Sequence, residues 1–370
     1  MELRSCRPED RKKAIALSRS VFKDNMESQF LCLFGEDNRE RMFLAVEGEE
    51  VVSMVNYYPA VVQIGPASVK TASVGSVCTK AEYRGQKLAS RLLTMAAAKM
   101  KAEDVHVVII SGQGGIYSAF GAEFAGNATE WFVPQGTFPS SPRVSLAEYT
   151  SADLPAVKAV YETEPVRFLR GETEFDRLIR GQTYPDLHTR YPFELILSQG
   201  KVVAYAILDL SDDEADDTLG IKEYAGDRLA LTDAFDLLLK KYGRRRMHFA
   251  ADPHDSLERL VAGCEKRPIH QFASLKILDF PGFLAVLRPY WEALVPESAG
   301  RVSWEERGGL YAIRLGPETL VLEDVVKLTR LVFGFPEPVG IDFSRCPELE
   351  KWVRQVFPIP FPWTHNLNYQ

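Results

Sequence analysis

The segment 73–121 constrains the fold of this chain most, because it reads in order as strand, tight turn, helix, strand, small-residue loop and helix. A β-prone run, 74–79, leads directly into the turn 83–89. After the turn, apolar residues recur at the spacing of one helical face, at Leu88, Leu92, Leu93, Met95, Ala96 and Met100. Backbone N–H groups of the turn and of the first helical residues converge on one point. Together with the positive end of the helix dipole they favour an anion there, and phosphate is the usual one.

The turn resembles the acetyl-CoA pyrophosphate loop of the GNAT N-acetyltransferases, whose pattern is Arg or Gln, two residues, Gly, one residue, and then Gly or Ala. Arg84 and Ala89 match this pattern, and Lys87 stands where the family normally has Gly. A helix-compatible backbone at Lys87 would still present its N–H group. The resemblance implies acetyl-CoA as co-substrate, with its pantetheine arm paired to the strand edge at Val77 and Thr79. The implied cofactor-binding residues are Val77, Cys78, Thr79, Arg84, Gly85, Gln86, Lys87, Leu88, Ala89 and Ser90.

A second signature lies in the small-residue stretch 112–122, which follows the apolar run 105–110. It resembles the family's motif of a Tyr near the start of a short helix, followed by an aromatic residue and Gly, next to the acetyl-CoA sulfur. Carried over to this chain, Tyr117 is the candidate general acid that protonates the departing thiolate. A phenol suits this role because its high pKa keeps the proton in place at neutral pH. The alternative is that Tyr117 only packs the helix.

An internal repeat follows the proline-rich linker 134–142. The turn 83–89 is echoed by 224–230, and an apolar-periodic helix follows each, so the chain contains two copies of one fold about 140 residues apart. In the second copy Ala225 replaces the Arg, and Asp227 places a carboxylate at the helix N-terminus, where it would repel a pyrophosphate. We therefore expect the second copy not to bind CoA.

The predicted fold class is α/β (α+β), with two tandem GNAT-like domains built on mixed central sheets and a smaller C-terminal α+β domain. The expected boundaries are 1–135 for the catalytic domain, 143–280 for the degenerate copy and 281–370 for the third domain. This arrangement resembles the enhanced intracellular survival family of acetyltransferases. That resemblance implies a third domain similar to sterol carrier protein, amine substrates such as aminoglycosides, and a homo-oligomer.

The general base is also implied by the resemblance, because in that family the C-terminal carboxylate reaches the active site. Here it would be the carboxylate of Gln370, at the end of an aromatic, proline-rich tail that we expect to be non-helical and to lie in a groove. The strand 72–79 contains no acidic residue that could take the amine proton instead. A terminal carboxylate is a weak base unless it is desolvated. The alternative is a disordered last residue.

Composition excludes several other classes of protein. The net charge of −7 argues against nonspecific nucleic-acid binding. The sequence contains no run of 18 apolar residues that could span a membrane, so we expect a cytoplasmic protein without a membrane partner. The five cysteines contain no C-x-x-C pair. His248, Asp252 and His254 are close in sequence but lack further ligands, and we expect no metal.

The predicted function is transfer of acetyl from acetyl-CoA to a primary amine of a small molecule by direct attack. Two alternatives belong to other classes. A noncatalytic acyl-CoA-binding protein is favoured by Lys87 in the loop and by the missing strand acid. A hydrophobic-ligand carrier would need an apolar cavity between Phe283 and Phe357.

Overall fold

The computed structural model describes residues 1–22, 25–112, 114–182, 189–213, 215–336 and 339–369. Within them the chain forms two compact units. The first comprises Met1–Gly126, His270–Ile359 and Tyr369, and the second comprises Asn127–Ile269 and Pro360–Asn368.

The first unit begins with a β-α-α-β-β-β-α-β-α-β order, and its part from the sixth element to the ninth has the order strand, turn, helix, strand, loop and helix predicted for segment 73–121. Its elements are β1 (Glu2–Ser5), α1 (Arg11–Phe22), α2 (Met26–Gln29), β2 (Met42–Glu47), β3 (Glu50–Ile64), β4 (Ala67–Thr79), α3 (Leu88–Ala102), β5 (Val107–Ile110), α4 (Gly115–Phe120) and β6 (Glu123–Phe124).

The second unit repeats this pattern around its own core, in which Trp131, Phe235 and Phe249 are fully buried. Its elements are β7 (Ala128–Pro134), β8 (Ser145–Glu148), α5 (Leu154–Tyr161), β9 (Val166–Phe168), α6 (Glu172–Gln182), β10 (Thr189–Arg190), β11 (Phe193–Ser198), β12 (Lys201–Ser211), β13 (Thr218–Gly226), α7 (Arg228–Tyr242), β14 (Arg246–Ala251), α8 (Leu257–Leu260) and β15 (Glu265–Ile269).

The remainder of the chain returns to the first unit. Its elements are β16 (Ser274–Ile277), α9 (Phe280–Leu294), β17 (Val302–Arg307), β18 (Leu310–Leu315), β19 (Glu318–Leu322), α10 (Val325–Phe333) and α11 (Pro347–Val356). Strands β17, β18 and β19 form an antiparallel sheet. Residues 357–369 contain no helix, as expected of a proline-rich tail.

Each large sheet includes a strand that is distant in sequence from its neighbours. The first has the order β1-β2-β3-β4-β5-β16-β6, and the second has the order β15-β7-β14-β13-β12-β11-β8. Strand β7 follows the first copy along the chain yet pairs with β14, and β16 follows the second copy yet pairs with β5. The predicted boundaries 1–135, 143–280 and 281–370 place β7 with the first copy and β16 with the second. The three-domain division remains a prediction.

Both sheets are mixed, which confirms the predicted α/β class with a repeated GNAT-like pattern. In each, an antiparallel hairpin is followed by a helix and a parallel strand: β3-β4-α3-β5 in the first unit and β12-β13-α7-β14 in the second. The similarity of the third part to sterol carrier protein remains a prediction.

Candidate active site

The site begins where strands β4 and β5 part. Their parallel pairing ends at Val74 and Ile110, whereas β4 continues to Thr79. The N–H group of Lys80 donates to the carbonyl of Val52 on β3 at 2.9 Å. Because alternate residues of a strand direct their backbone groups to opposite edges, those of Val77 and Thr79 face the edge that β5 has left. Such an edge can pair with an extended ligand, and the prediction for the pantetheine arm uses these two residues.

A bulge in β4 lies at this point. Gly75 pairs with Asn56 and Cys78 with Met54, so Ser76 and Val77 together stand opposite one residue of β3. Ser76 has a φ of 50°, in the left-handed region. A bulge bends its strand and increases its twist, so it contributes to the parting of β4 from β5.

The loop after β4 leads into α3 through two residues with positive φ. Gly85 has a φ of 80°, and Lys87, which precedes the helix, has a φ of 58° and a ψ of 24°. This differs from the expected helix-compatible backbone at Lys87. The left-handed region costs a residue with a Cβ atom roughly 1–2 kcal/mol, so the backbone itself is the reason why the family pattern has Gly here. The side chain of Lys87 makes no hydrogen bond that caps α3.

The predicted cofactor residues differ in what they offer a ligand. Arg84, Gly85, Gln86, Lys87 and Ser90 are exposed, Val77, Thr79 and Ala89 are half-buried, and Cys78 and Leu88 are buried. Leu88 packs into the core beneath α3, so its backbone alone is available. Burial raises the pKa of the Cys78 thiol to about 12, which keeps it protonated and excludes it as a nucleophile at neutral pH.

Tyr117 is carried by α4 and packs against the core of the first sheet. Burial, and then its neighbours Cys78 and Tyr369, raise its pKa to about 12. Gly112 makes this packing possible, because a Cβ atom there would lie 2.8 Å from the phenol ring and 3.0 Å from its oxygen. The phenol therefore holds its proton at neutral pH.

Tyr369 is a residue of this site that sequence reasoning missed. Its hydroxyl donates to the carbonyl of Ser111, just beyond β5, at 2.8 Å. Its ring packs edge-on against Phe272, with centroids 5.5 Å apart. The only signal in the sequence is the aromatic character of the tail. The predicted base, Gln370, lies outside the described residues.

The counterpart of the loop in the second unit is filled by its own side chains. The carboxylate of Asp227 accepts the N–H groups of Leu229 and Ala230 at 2.8 and 3.1 Å, so it caps the N-terminus of α7, where the sequence places a carboxylate. Arg228 forms ion pairs with Glu164 at 2.6 Å and with Asp255 at 2.9 Å. Glu164 also accepts the N–H group of Gly226.

The histidines singled out from the sequence contact carboxylates. His248 contacts Glu130 and His254 contacts Asp252, both at 2.7 Å. Among the described residues no group of three or more His, Cys, Asp or Glu side chains could hold a metal ion. None of the helices in the described residues combines the length and apolar character needed to span a bilayer.

Comparison with known proteins gives one family match. Residues 2–125 match the model of the acetyltransferase (GNAT) domain. No curated protein sequence gives a significant match. A GCN5-related N-acetyltransferase from Anabaena variabilis is similar in structure, with 14% identity, a TM-score of 0.67, and coverage of 97% of this chain and 96% of that chain. Another from Kribbella flavida has 14% identity, a TM-score of 0.64 and full coverage of both chains.

Eis1 from Mycobacterium abscessus is also similar, with 12% identity, a TM-score of 0.64, and coverage of 96% of each chain. At such identities the structural comparisons establish the shared fold over nearly the whole chain. The family match defines the class of the first domain as acyltransferase. Residues 2–125 form a domain of the GNAT family of acetyltransferases, and the rest of the chain shares only the fold of the similar structures.

Proposed function

We propose that the protein transfers acetyl from acetyl-CoA to a primary amine of a small molecule, such as the polycationic amines of aminoglycosides. The pyrophosphate binds the N–H groups between Arg84 and Ser90, and the pantetheine arm pairs with Val77 and Thr79. The neutral amine attacks the thioester carbonyl directly. A C–N bond forms, the C–S bond breaks, and neither a metal nor a covalent enzyme intermediate takes part.

Tyr117 is the general acid of this reaction. The observation that carries the proposal is its position on the short helix after β5, where its ring packs against the core of the first sheet. A thiolate leaving group needs a proton, and this phenol is protonated at every pH at which the enzyme would operate.

The carboxylate of Gln370 is proposed as the base that takes the amine proton. Strand β4 contains no acidic residue, and this supports a base from elsewhere in the chain. The hydroxyl of Tyr369, the preceding residue, donates a hydrogen bond to the carbonyl of Ser111 at the edge of the site. This contact supports a role for the tail in the site.

The test combines isothermal titration of acetyl-CoA with a thiol-release assay over a panel of amines that includes an aminoglycoside. We expect binding at one site per chain and amine-dependent thiol release, and we expect Tyr117→Phe to bind acetyl-CoA as well as the parent protein but to release thiol far more slowly. Binding without turnover of any amine would contradict the proposal and support the noncatalytic acyl-CoA-binding alternative.

The hydrophobic-ligand carrier has less support. Aromatic side chains pack ring against ring in the part of the chain where it would need a cavity. Trp291 lies 5.4 Å from Trp304 and 5.7 Å from Trp352 between ring centroids, and Trp352 lies 5.8 Å from Phe357. These contacts support a structural role for this region.

A further inference from the structure

The short helix α4, which carries Tyr117, depends on contacts outside itself. It has six residues, and helices of fewer than roughly 12 residues are marginal in water without tertiary contacts. None of the six described residues of α4 is fully buried, and Ile116, Tyr117 and Phe120 pack only in part against the core of the first sheet. The place of the Tyr117 phenol is therefore set by the few groups that contact this helix.

One such group is the half-buried ammonium of Lys276, on β16. It donates to the carbonyl of Phe120, the last residue of α4, and lies 3.9 Å from the centroid of the Phe120 ring. The same side chain lies beside Gly121, the left-handed residue that ends the helix, where a Cβ atom would be 3.5 Å from the Lys276 nitrogen. The last carbonyls of a helix lack intrahelical partners and carry its negative partial charge, so a cationic donor there holds the end of the helix.

Strand β16 is hydrogen-bonded on both sides at this point. Lys276 pairs with Val108 of β5, the strand before α4, and Ser274 pairs with Phe124 of β6, the strand after it. The ammonium thus ties the end of α4 to the strand that lies between the two strands flanking the helix in sequence. Tyr117 stands about one turn before that end, so a displacement of the end also moves the phenol.

Stability is a weak reason for an ammonium at this place. Burial, and then the charge of Lys101, lower the pKa of Lys276 to about 8, and Glu306 opposes this shift. A lysine whose pKa is lower in the folded than in the unfolded chain reduces stability as long as it is charged. The hydrogen bond of this ammonium goes to a carbonyl rather than to a carboxylate. A neutral side chain of similar length should therefore leave the protein at least as stable at neutral pH.

We propose that Lys276 is a positioning residue for acyl transfer, because it holds the C-terminal end of α4 and thereby sets the place of the Tyr117 hydroxyl. This inference rests on the proposed function, in which Tyr117 is the general acid. Lys276 acts on the reaction only through α4. Both residues and the helix belong to the first unit.

The test variant is Lys276→Met, which removes the ammonium and keeps an unbranched side chain of similar length. The matched control is Lys70→Met. Lys70 lies on β4 in the same unit, and its ammonium donates to the carbonyl of Glu103, at the end of α3, at 3.2 Å. It also forms an ion pair with Asp104 at 3.3 Å. The control thus loses a lysine contact at the end of a helix that does not carry Tyr117.

The first measurement is amide hydrogen exchange of segment 115–122, followed by mass spectrometry at pH 7. The N–H groups of Gly121 and Ala122 each donate to a carbonyl of α4 at 2.9 Å, so they report on the end of the helix. We expect exchange in this segment to be about tenfold faster in the test variant and unchanged in the control. Equal exchange in the parent and both variants would overturn the inference, and this readout needs no amine substrate.

The second measurement is thermal unfolding at pH 7. We expect the Tm of the test variant to equal or exceed that of the parent protein, because the charged lysine reduces stability at this pH. A lower Tm together with a loss of activity would assign Lys276 a structural role and would overturn the inference.

The third measurement is kcat, with the dissociation constant of acetyl-CoA, for Lys276→Met alone and combined with Tyr117→Phe. At saturating acetyl-CoA and with the best amine of the panel, we expect the single variant to lose about tenfold in kcat, since misplacement of a catalytic group by about 1 Å costs on the order of 100-fold. We expect unchanged affinity for acetyl-CoA and no further loss of kcat in the Tyr117→Phe background. Independent, additive losses would overturn the inference.

Failure of the inference is distinguishable from failure of the proposed function. Full turnover by Tyr117→Phe alone would refute the general acid of the proposed function, and the inference with it. A slow Tyr117→Phe variant beside a fully active Lys276→Met variant would overturn the inference and leave the proposed function standing.

Discussion

Replacement of Lys87 by Gly should stabilise the protein without weakening acyl-CoA binding. Lys87 has a φ of 58°, and relief of the left-handed strain is worth roughly 1–2 kcal/mol. The greater freedom of Gly in the unfolded chain offsets roughly 0.4–1 kcal/mol of this. The difference is about 0.8 kcal/mol, which corresponds to a rise in Tm of about 2–3 °C for a domain of this size.

The matched control is Lys87→Ala, which removes the same ammonium group but keeps a Cβ atom in the left-handed region. Thermal unfolding and titration of acetyl-CoA should be measured for both variants at the same ionic strength. The Gly variant should unfold above the Ala variant and bind acetyl-CoA as tightly as the parent protein. A Gly variant that unfolds at or below the temperature of the Ala variant would refute the assignment of strain at this position.

Three further predictions concern Tyr117, Asp227 and Lys276, a residue of β16 whose ammonium donates to the carbonyl of Phe120 on α4. Tyr117→Phe should lower kcat by about 100-fold or more with little change in KM for acetyl-CoA, and an equal kcat for the variant would exclude the role of Tyr117 as general acid. Because the pKa of Tyr117 is about 12, the parent enzyme should lose no activity through deprotonation of this residue between pH 8 and 10. Asp227→Ala should lower the free energy of unfolding, measured by urea denaturation, by about 1 kcal/mol because it removes the cap of α7, and Asp227→Asn should lower it less. Neither variant should create a second CoA site, and binding of a second equivalent of CoA in titration would contradict this. Burial and then Lys101 lower the pKa of Lys276 to about 8. Because the unfolded chain then binds more protons between pH 8 and about 10.4, stability should rise with pH over that range and the rise should be absent in Lys276→Met; an undiminished rise in the variant would point to another group.

Local elements of the first unit could be predicted from the sequence because their causes are local. The β-prone run before the turn gives the end of β4, which begins seven residues earlier than the run, and the apolar period after the turn places α3 within a few residues of its observed bounds. The cap at Asp227 was predictable for the same reason, since a carboxylate at that position has only the first N–H groups of the helix within reach.

Other features depend on contacts between residues that are distant in sequence. Strands β7 and β16 each pair with a strand distant in sequence, and alternation of apolar residues does not specify which sheet a strand joins. The left-handed backbone at Lys87 belongs to the loop between β4 and α3, and the identity of the residue as Lys does not indicate it. The contact of Lys276 with Phe120 joins residues that lie 156 positions apart in the printed sequence.

The most direct test of the account is a crystal structure of the protein soaked with acetyl-CoA. The account predicts the pyrophosphate within hydrogen-bonding distance of the backbone N–H groups between Arg84 and Ser90, the pantetheine arm beside Val77 and Thr79, and the thioester sulfur next to the Tyr117 hydroxyl. Density for the cofactor at Asp227 in the second unit, or a thioester remote from Tyr117, would contradict it.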